Sequence, residues 1–192
     1  KSNGRGLSSD APCMVLFCSF EQIPTLIQAA EKHGFVNHIP LVFIKNYSGQ
    51  VLKANMRIVG ATEYGIVLYR DRLPKFRNDG KMIFNWMKWE KDRPEIPKCH
   101  PTQKVQSVLR RLIEVFTDPG DVVIDPVAGS GSTLRAARDL GRNSYGFEIY
   151  KPFYQKAINE MLNENYSEYA MRQADKETGQ INIFDIGGVT DD

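Results

Sequence analysis

Residues 119–148 read PGDVVIDPVAGSGSTLRAARDLGRNSYGFE, and this stretch limits what the chain can fold into more sharply than any other. A Pro119-Gly120 turn leads into Val122-Val123-Ile124, a continuous apolar run that suits a strand buried on both faces of a parallel sheet. Asp125 and Pro126 stand where that strand should end. Ala128-Gly129-Ser130-Gly131-Ser132 follows, small residues that let a backbone turn tightly and come close to a ligand. Residues 133–140 favour helix, Gly141 stops it, and a second strand over 143–147 ends at Glu148. A strand, glycine loop, helix, strand and acid in this order can bind an adenosine-containing cofactor at the carboxyl ends of the strands. The plainer alternative is a glycine-rich turn in an ordinary α/β domain.

The details of the loop narrow the cofactor. A dinucleotide fingerprint needs a third glycine three residues after the second, and Leu134 stands there instead. A phosphate-cradling loop needs Gly-Lys-Ser/Thr, which is not present. What stands here is Asp125-Pro126-x-x-Gly129-x-Gly131, with an acid ahead of the loop. That acid suits a cationic group, such as the ammonium of a methionine moiety, and is unhelpful beside a pyrophosphate. Glu148 lies 17 residues past Gly131, close to where an acid accepts hydrogen bonds from ribose hydroxyls.

These residues carry a resemblance. Asp125-Pro126-Val127-Ala128-Gly129-Ser130-Gly131-Ser132 resembles motif I of the S-adenosylmethionine-dependent DNA methyltransferases that modify an exocyclic amine. Upstream, His100-Pro101-Thr102-Gln103-Lys104 resembles their motif X, and Tyr145-Gly146-Phe147-Glu148 resembles motif II. Motif X ahead of motif I is the order of the permuted β class, and the strong match covers residues 99–157. The chain departs from the family pattern at Val127, where Phe or Cys is common, and at Val105, where a second proline is usual.

The resemblance implies a Rossmann-like, doubly wound, mostly parallel α/β sheet of the class I methyltransferase type, with irregular basic insertions. It implies S-adenosyl-L-methionine as cofactor and double-stranded DNA as partner, with methyl transfer to adenine N6 placed ahead of cytosine N4. Asp125 would bind the methionine ammonium, Pro126 and Ala128 to Ser132 would line the cofactor, and Glu148 would hold the ribose. Pro101, Thr102 and Lys104 would shape the methionine end. Tyr150 either covers the adenine or packs at a helix start. His100 reads as structural, since methylating an amine in this way needs no general base. The resemblance also implies a bacterial or phage origin, a restriction–modification setting, and a homodimer or partner methyltransferase subunit.

The chain has 192 residues and 42% hydrophobic content, enough for one domain with its own core. It contains no run of about 18 apolar residues that would span a membrane. It shows no leader-like start, so a cytoplasmic setting is expected. Cys13, Cys18 and Cys99 lack metal-ligand spacing and read as reduced thiols, so no metal is expected. Residues 1–12 read as a loop, 13–20 as a buried strand, 21–33 as an amphipathic helix ended by Gly34, and 35–45 as another strand. That order continues the doubly wound pattern and puts the N-terminal half in the same sheet. Residues 62–69 read as a strand and resemble motif VIII. Residues 106–116 and 150–163 have the apolar spacing of amphipathic helices, and 99–164 form the expected cofactor-binding core. Residues 181–186 suit a short strand or an extended arm.

Residues 70–98 read as irregular. They hold nine basic residues against five acids, a local +4 where the whole chain has +2. Phe76, Phe84, Trp86 and Trp89 are interleaved with them. Cations that can meet phosphates, with aromatic faces nearby, make a nucleic-acid footprint. The bland alternative is a solvated loop anchored by its aromatics. The family keeps its target-recognition region here, which favours the first reading. Lys53, Arg57, Arg72, Lys75, Arg77, Lys88 and Trp89 are the candidate nucleic-acid contacts. The family also transfers methyl with an Asp/Asn/Ser-Pro-Pro-Tyr/Phe motif that should precede the strand at 13–20, and the chain contains no Pro-Pro. Two explanations compete: a catalytic segment upstream of Lys1, or a non-catalytic subunit that binds cofactor or DNA and regulates a partner.

Overall fold

The structure, a computed structural model, describes residues 11–48 and 58–163. Strand β1 (Cys13–Cys18) leads through a short 3-10 turn (Phe20–Gln22) into helix α1 (Ile23–Glu31) and strand β2 (Asn37–Lys45). Strands β3 (Thr62–Tyr69) and β4 (Trp86–Trp89) complete a sheet of order β1-β3-β2-β4. Strand β3 runs antiparallel to both neighbours, while β4 is parallel to β2. Helix α2 (Gln106–Phe116) then precedes β5 (Val122–Asp125), α3 (Ser132–Asp139), β6 (Asn143–Gly146) and α4 (Lys151–Lys156). Strands β5 and β6 pair in parallel as a second sheet. Among the described residues no helix is long and apolar enough to cross a membrane.

The expectation of one continuous sheet is therefore corrected: no hydrogen-bonded ladder joins β1 to β5 among the described residues. What links the two sheets is a shared helix. Val108 and Leu112 of α2 pack with Leu41, Phe43, Val67, Trp89 and Val105 of the larger sheet and its surroundings. On another face of α2, Leu109 and Ile113 meet Ala136 and Ala137 of α3, with Phe17 and Val123 against them. Burying side chains of this kind contributes about 1.5–3 kcal/mol each. The small residues Ala136 and Ala137 let α3 lie close to α2, and both are fully buried. A third cluster places α1 on the opposite face of the larger sheet, through Ala30 against Ile66 and Leu68.

A second expectation is also corrected. Only Val123 of β5 turns toward the helices, whereas Val122 and Ile124 are 53% and 63% exposed. A strand's side chains alternate between faces, and among the described residues only one face of β5 is covered. The helix expected over 150–163 is α4 followed by a wider π turn over Ala157–Met161. Arg135 and Arg138 of α3 donate to the carbonyls of Met161 and Leu162 at 3.3 and 2.7 Å and fasten that turn. The stretch at 70–98 contains strand β4, which sequence reading missed.

Candidate cofactor groove

The glycine loop is held by its own backbone. The Phe147 amide donates to the Asp125 carbonyl at 3.0 Å, and the Ala128 amide returns the bond to the Phe147 carbonyl at 2.9 Å. The Asp125 carboxylate accepts from the Val127 amide at 3.1 Å, which turns the chain sharply away from β5. Gly129 and Gly131 have φ of 53° and 76°, the left-handed region where a side chain is strained. At Gly131 a Cβ would also come 3.2 Å from the Ala157 Cβ. Glycine here serves both the turn and the close seating of the π turn.

Glu148 faces this loop. One carboxylate oxygen accepts from the Gly129 amide at 2.9 Å and the other from the Tyr150 amide at 2.7 Å. Each oxygen keeps further acceptor capacity, which suits a pair of hydroxyl donors. Around it lies a groove of about 420 Å³ lined by Pro126, Val127, Gly146, Phe147, Glu148, Ile149 and Tyr154. Val127, Phe147, Ile149 and Tyr154 are all exposed hydrophobic groups. An exposed apolar cleft around one acid is what a flat, apolar-faced ligand with adjoining hydroxyls requires.

Of the residues picked from sequence, Pro126 and Glu148 line this groove, and Asp125, Ala128 and Gly129 border it through the loop. Tyr150 caps α4, and its ring lies edge-on to Phe153 at 5.0 Å. Tyr154, one helical turn on, lines the groove instead. Sequence reasoning missed Val127, Gly146, Phe147, Ile149 and Tyr154; their signal was adjacency to the loop and to Glu148, and for Tyr154 the i,i+4 spacing from Tyr150.

Ser130 and Ser132 are buried, with their hydroxyls 3.1 Å apart, and they brace the loop rather than open onto the groove. The Gln106 side chain donates to the Ser132 carbonyl at 3.0 Å, and the Gln106 amide donates to Asp92 at 2.7 Å. Burial pushes the Asp92 carboxyl up, against the pull of its hydrogen bonds from Gln106 and Gln103 and the charge of Arg135. Residues 92–106 are thus fastened behind the loop. His100 packs on Phe153 at 4.2 Å and would meet a Cβ at Gly129 at 3.8 Å. Its Nδ1 accepts from the Thr102 amide at 3.1 Å, which makes it a turn-forming residue. Pro101 and Thr102 are exposed beside it, and neither lines the groove. Lys104 is turned toward Phe17 and Trp89, with its ammonium 5.2 and 5.6 Å from the two ring centres.

The basic insert separates into groups. Trp89 is 5% exposed and packs with Phe43 and Phe17, so it is a core residue and not a free stacking face. Lys75 is paired with Asp118 and Asp121 at 3.1 and 2.7 Å, and Arg77 with Asp118 at 2.6 Å. Hydrogen bonds from Arg77 and Lys75 hold the Asp118 carboxyl below the usual range, and the Asp118 amide followed by Lys75 does the same for Asp121. Both cations tie the insert to the turn before β5. Arg72 and Lys88 are exposed, Phe84 and Trp86 stack at 6.1 Å on the surface, and Lys53 and Arg57 lie outside the described residues.

Residues 5–160 match the DNA methylase family of N6/N4 methyltransferases. YubD of Escherichia coli (strain K12), which carries a methylase name, is 33% identical over 153 residues, covering 79% of this chain and 62% of that protein. The DNA adenine methyltransferase YhdJ of the same organism is 26% identical over 162 residues, covering 81% of this chain and 55% of that protein. This chain thus spans less than two thirds of either curated relative. The crystal structure of an M1.HpyAVI–SAM complex superposes with a TM-score of 0.68 at 31% identity, covering 80% of this chain and 75% of that one. The glycine loop, the acid at the end of β6 and the fold around them lie within the matched residues, and the chain belongs to the N6/N4 DNA methylase family.

Proposed function

We propose that the groove at the carboxyl ends of β5 and β6 binds S-adenosylmethionine, and that the chain belongs to an enzyme that methylates an exocyclic amine in DNA, adenine N6 ahead of cytosine N4. The observation that carries this reading is Glu148, anchored by two backbone amides at the mouth of an apolar groove beside the loop. Its remaining acceptor capacity would take the ribose hydroxyls, while Val127, Phe147, Ile149 and Tyr154 would enclose the adenine. Asp125 would receive the methionine ammonium, and the backbone of Ala128 to Ser132 would run beside the cofactor. Pro101 and Thr102 would shape the methionine end from the neighbouring turn. When bound, the cofactor supplies an electrophilic methyl group; this chain's residues bind and orient it.

Arg72 and Lys88 are proposed nucleic-acid contacts on the exposed side of the insert, with Lys53 and Arg57 of the segment before β3 as further candidates. The adenine preference is favoured by the name of YhdJ. The test is transfer of labelled methyl from S-adenosylmethionine to unmethylated DNA, followed by digestion to nucleosides. Label in N6-methyladenine is the expected result. Label in N4-methylcytosine would correct the base. No label, with cofactor still bound, would favour a cofactor-binding subunit that acts through a partner.

A further inference from the structure

Helix α2 opens on a polar residue, Gln106, that is only 6% exposed, while the other buried residues of this helix are apolar. Its backbone amide donates to the Asp92 carboxylate at 2.7 Å, and its side-chain Nε2 donates to the Ser132 carbonyl at 3.0 Å. A carboxylate is favourable at the first amide of a helix, so Asp92 fixes where α2 starts and where the Gln106 side chain is held. Asp92 lies three residues past β4, in the basic insert, and Ser132 opens α3 directly after Gly131. One side chain thus joins the end of the insert to the exit of the glycine loop.

Gln106 makes that contact against its own stability. Its Oε1 is buried with no hydrogen-bond partner among the described residues, and an acceptor left so is destabilising. An apolar side chain of the same length would fill the space without that penalty. The loop, for its part, needs the contact. Gly129 and Gly131 both take positive φ, and glycine by itself holds no single backbone conformation. The entry of the loop is tied by the Ala128 amide to the Phe147 carbonyl and by the Gly129 amide to Glu148. Its exit is tied by Gln106. A shift of the exit would move the Gly129 amide, and with it the carboxylate that this amide orients.

We infer that Gln106, set in place by Asp92, is a positioning residue for cofactor binding: it holds the exit of the glycine loop so that Glu148 keeps its orientation toward the groove. This rests on the methyltransferase reading, since the groove in question is the one assigned to S-adenosylmethionine. Neither Gln106 nor Asp92 lines that groove, so both act through the loop.

The test titrates S-adenosylmethionine into the parent chain, Gln106→Met, Asp92→Ala, Asp92→Asn and Leu112→Ala, each below its melting temperature. Gln106→Met keeps the length of the side chain and removes both the donor and the unpaired acceptor. It should melt no lower than the parent and bind S-adenosylmethionine about fivefold more weakly, the worth of one hydrogen bond. Asp92→Ala should also weaken binding, and Asp92→Asn, whose amide oxygen still accepts from the Gln106 amide, should restore it. Leu112→Ala loosens the core away from the loop, so it should melt lower and keep its affinity. A merely structural role for Gln106 predicts the other pairing, with affinity falling only where the melting temperature falls. Gln106→Met and Asp92→Ala chains that bind as tightly as the parent would overturn the inference and leave the methyltransferase reading standing. An affinity loss in Leu112→Ala equal to that in Gln106→Met would do the same. A folded parent that binds no S-adenosylmethionine would remove both.

Discussion

Glu148 carries two amide hydrogen bonds before any ligand arrives, so its carboxylate is already oriented. Replacing it with Ala removes the proposed ribose acceptor and frees the Gly129 amide. Hydrogen bonds to a charged acceptor are worth about 1.5–3 kcal/mol, and calorimetry with S-adenosylmethionine should show a loss of that order. Unchanged affinity would take Glu148 out of the site. Gly131 makes a separate prediction. Gly131→Ala places a side chain at φ 76° and 3.2 Å from Ala157, so it should lower stability by about 1–2 kcal/mol in denaturant unfolding. At this scale Glu148 and the glycines were legible in the sequence, because an acid at a strand end and a turn of small residues have few other uses. Tyr154 was not. Which of two tyrosines on one helix face meets the groove depends on how Phe153 packs against His100, and spacing alone does not encode that.

At the scale of elements, α2 is the layer both sheets rest on. Leu112→Ala should cost about 2–5 kcal/mol, since it opens a cavity beneath Phe43, Val67 and Trp89. A loss near zero in chemical unfolding would show that the cluster does not hold the sheet. Ion pairs join the insert to the turn before β5, and they give a pH dependence. Asp118 and Asp121 have depressed folded-state pKa values, chiefly through hydrogen bonds from Arg77 to Asp118 and from the Asp118 amide to Asp121, with Lys75 bonded to both. A depressed carboxyl contributes stability above its unfolded pKa, and that contribution fades as pH falls through the folded value. Melting temperature should therefore drop from pH 5 downward, and the drop should shrink in Asp118→Asn. Equal pH profiles for parent and variant would contradict the assignment. Elements with a long apolar period (α1, α2) or a glycine stop (α3) were readable from sequence. Strand β4 was not, because four residues in a basic stretch offer too short an alternation, and its pairing with β2 spans distant parts of the chain.

For the molecule as a whole, the order of strands, the glycine loop and the family match lead to one account: a cofactor groove on the β5–β6 unit, tied to the larger sheet through α2. The N-terminal half was legible as strand, helix and strand. Its arrangement was not, because β3 inserts antiparallel between β1 and β2, and such insertion is a tertiary choice invisible to local periodicity. The most direct test is equilibrium titration of the chain with S-adenosylmethionine. The account predicts saturable binding at one site per chain, competed by 5′-methylthioadenosine and weakened by Glu148→Ala. No binding by a folded chain would contradict it.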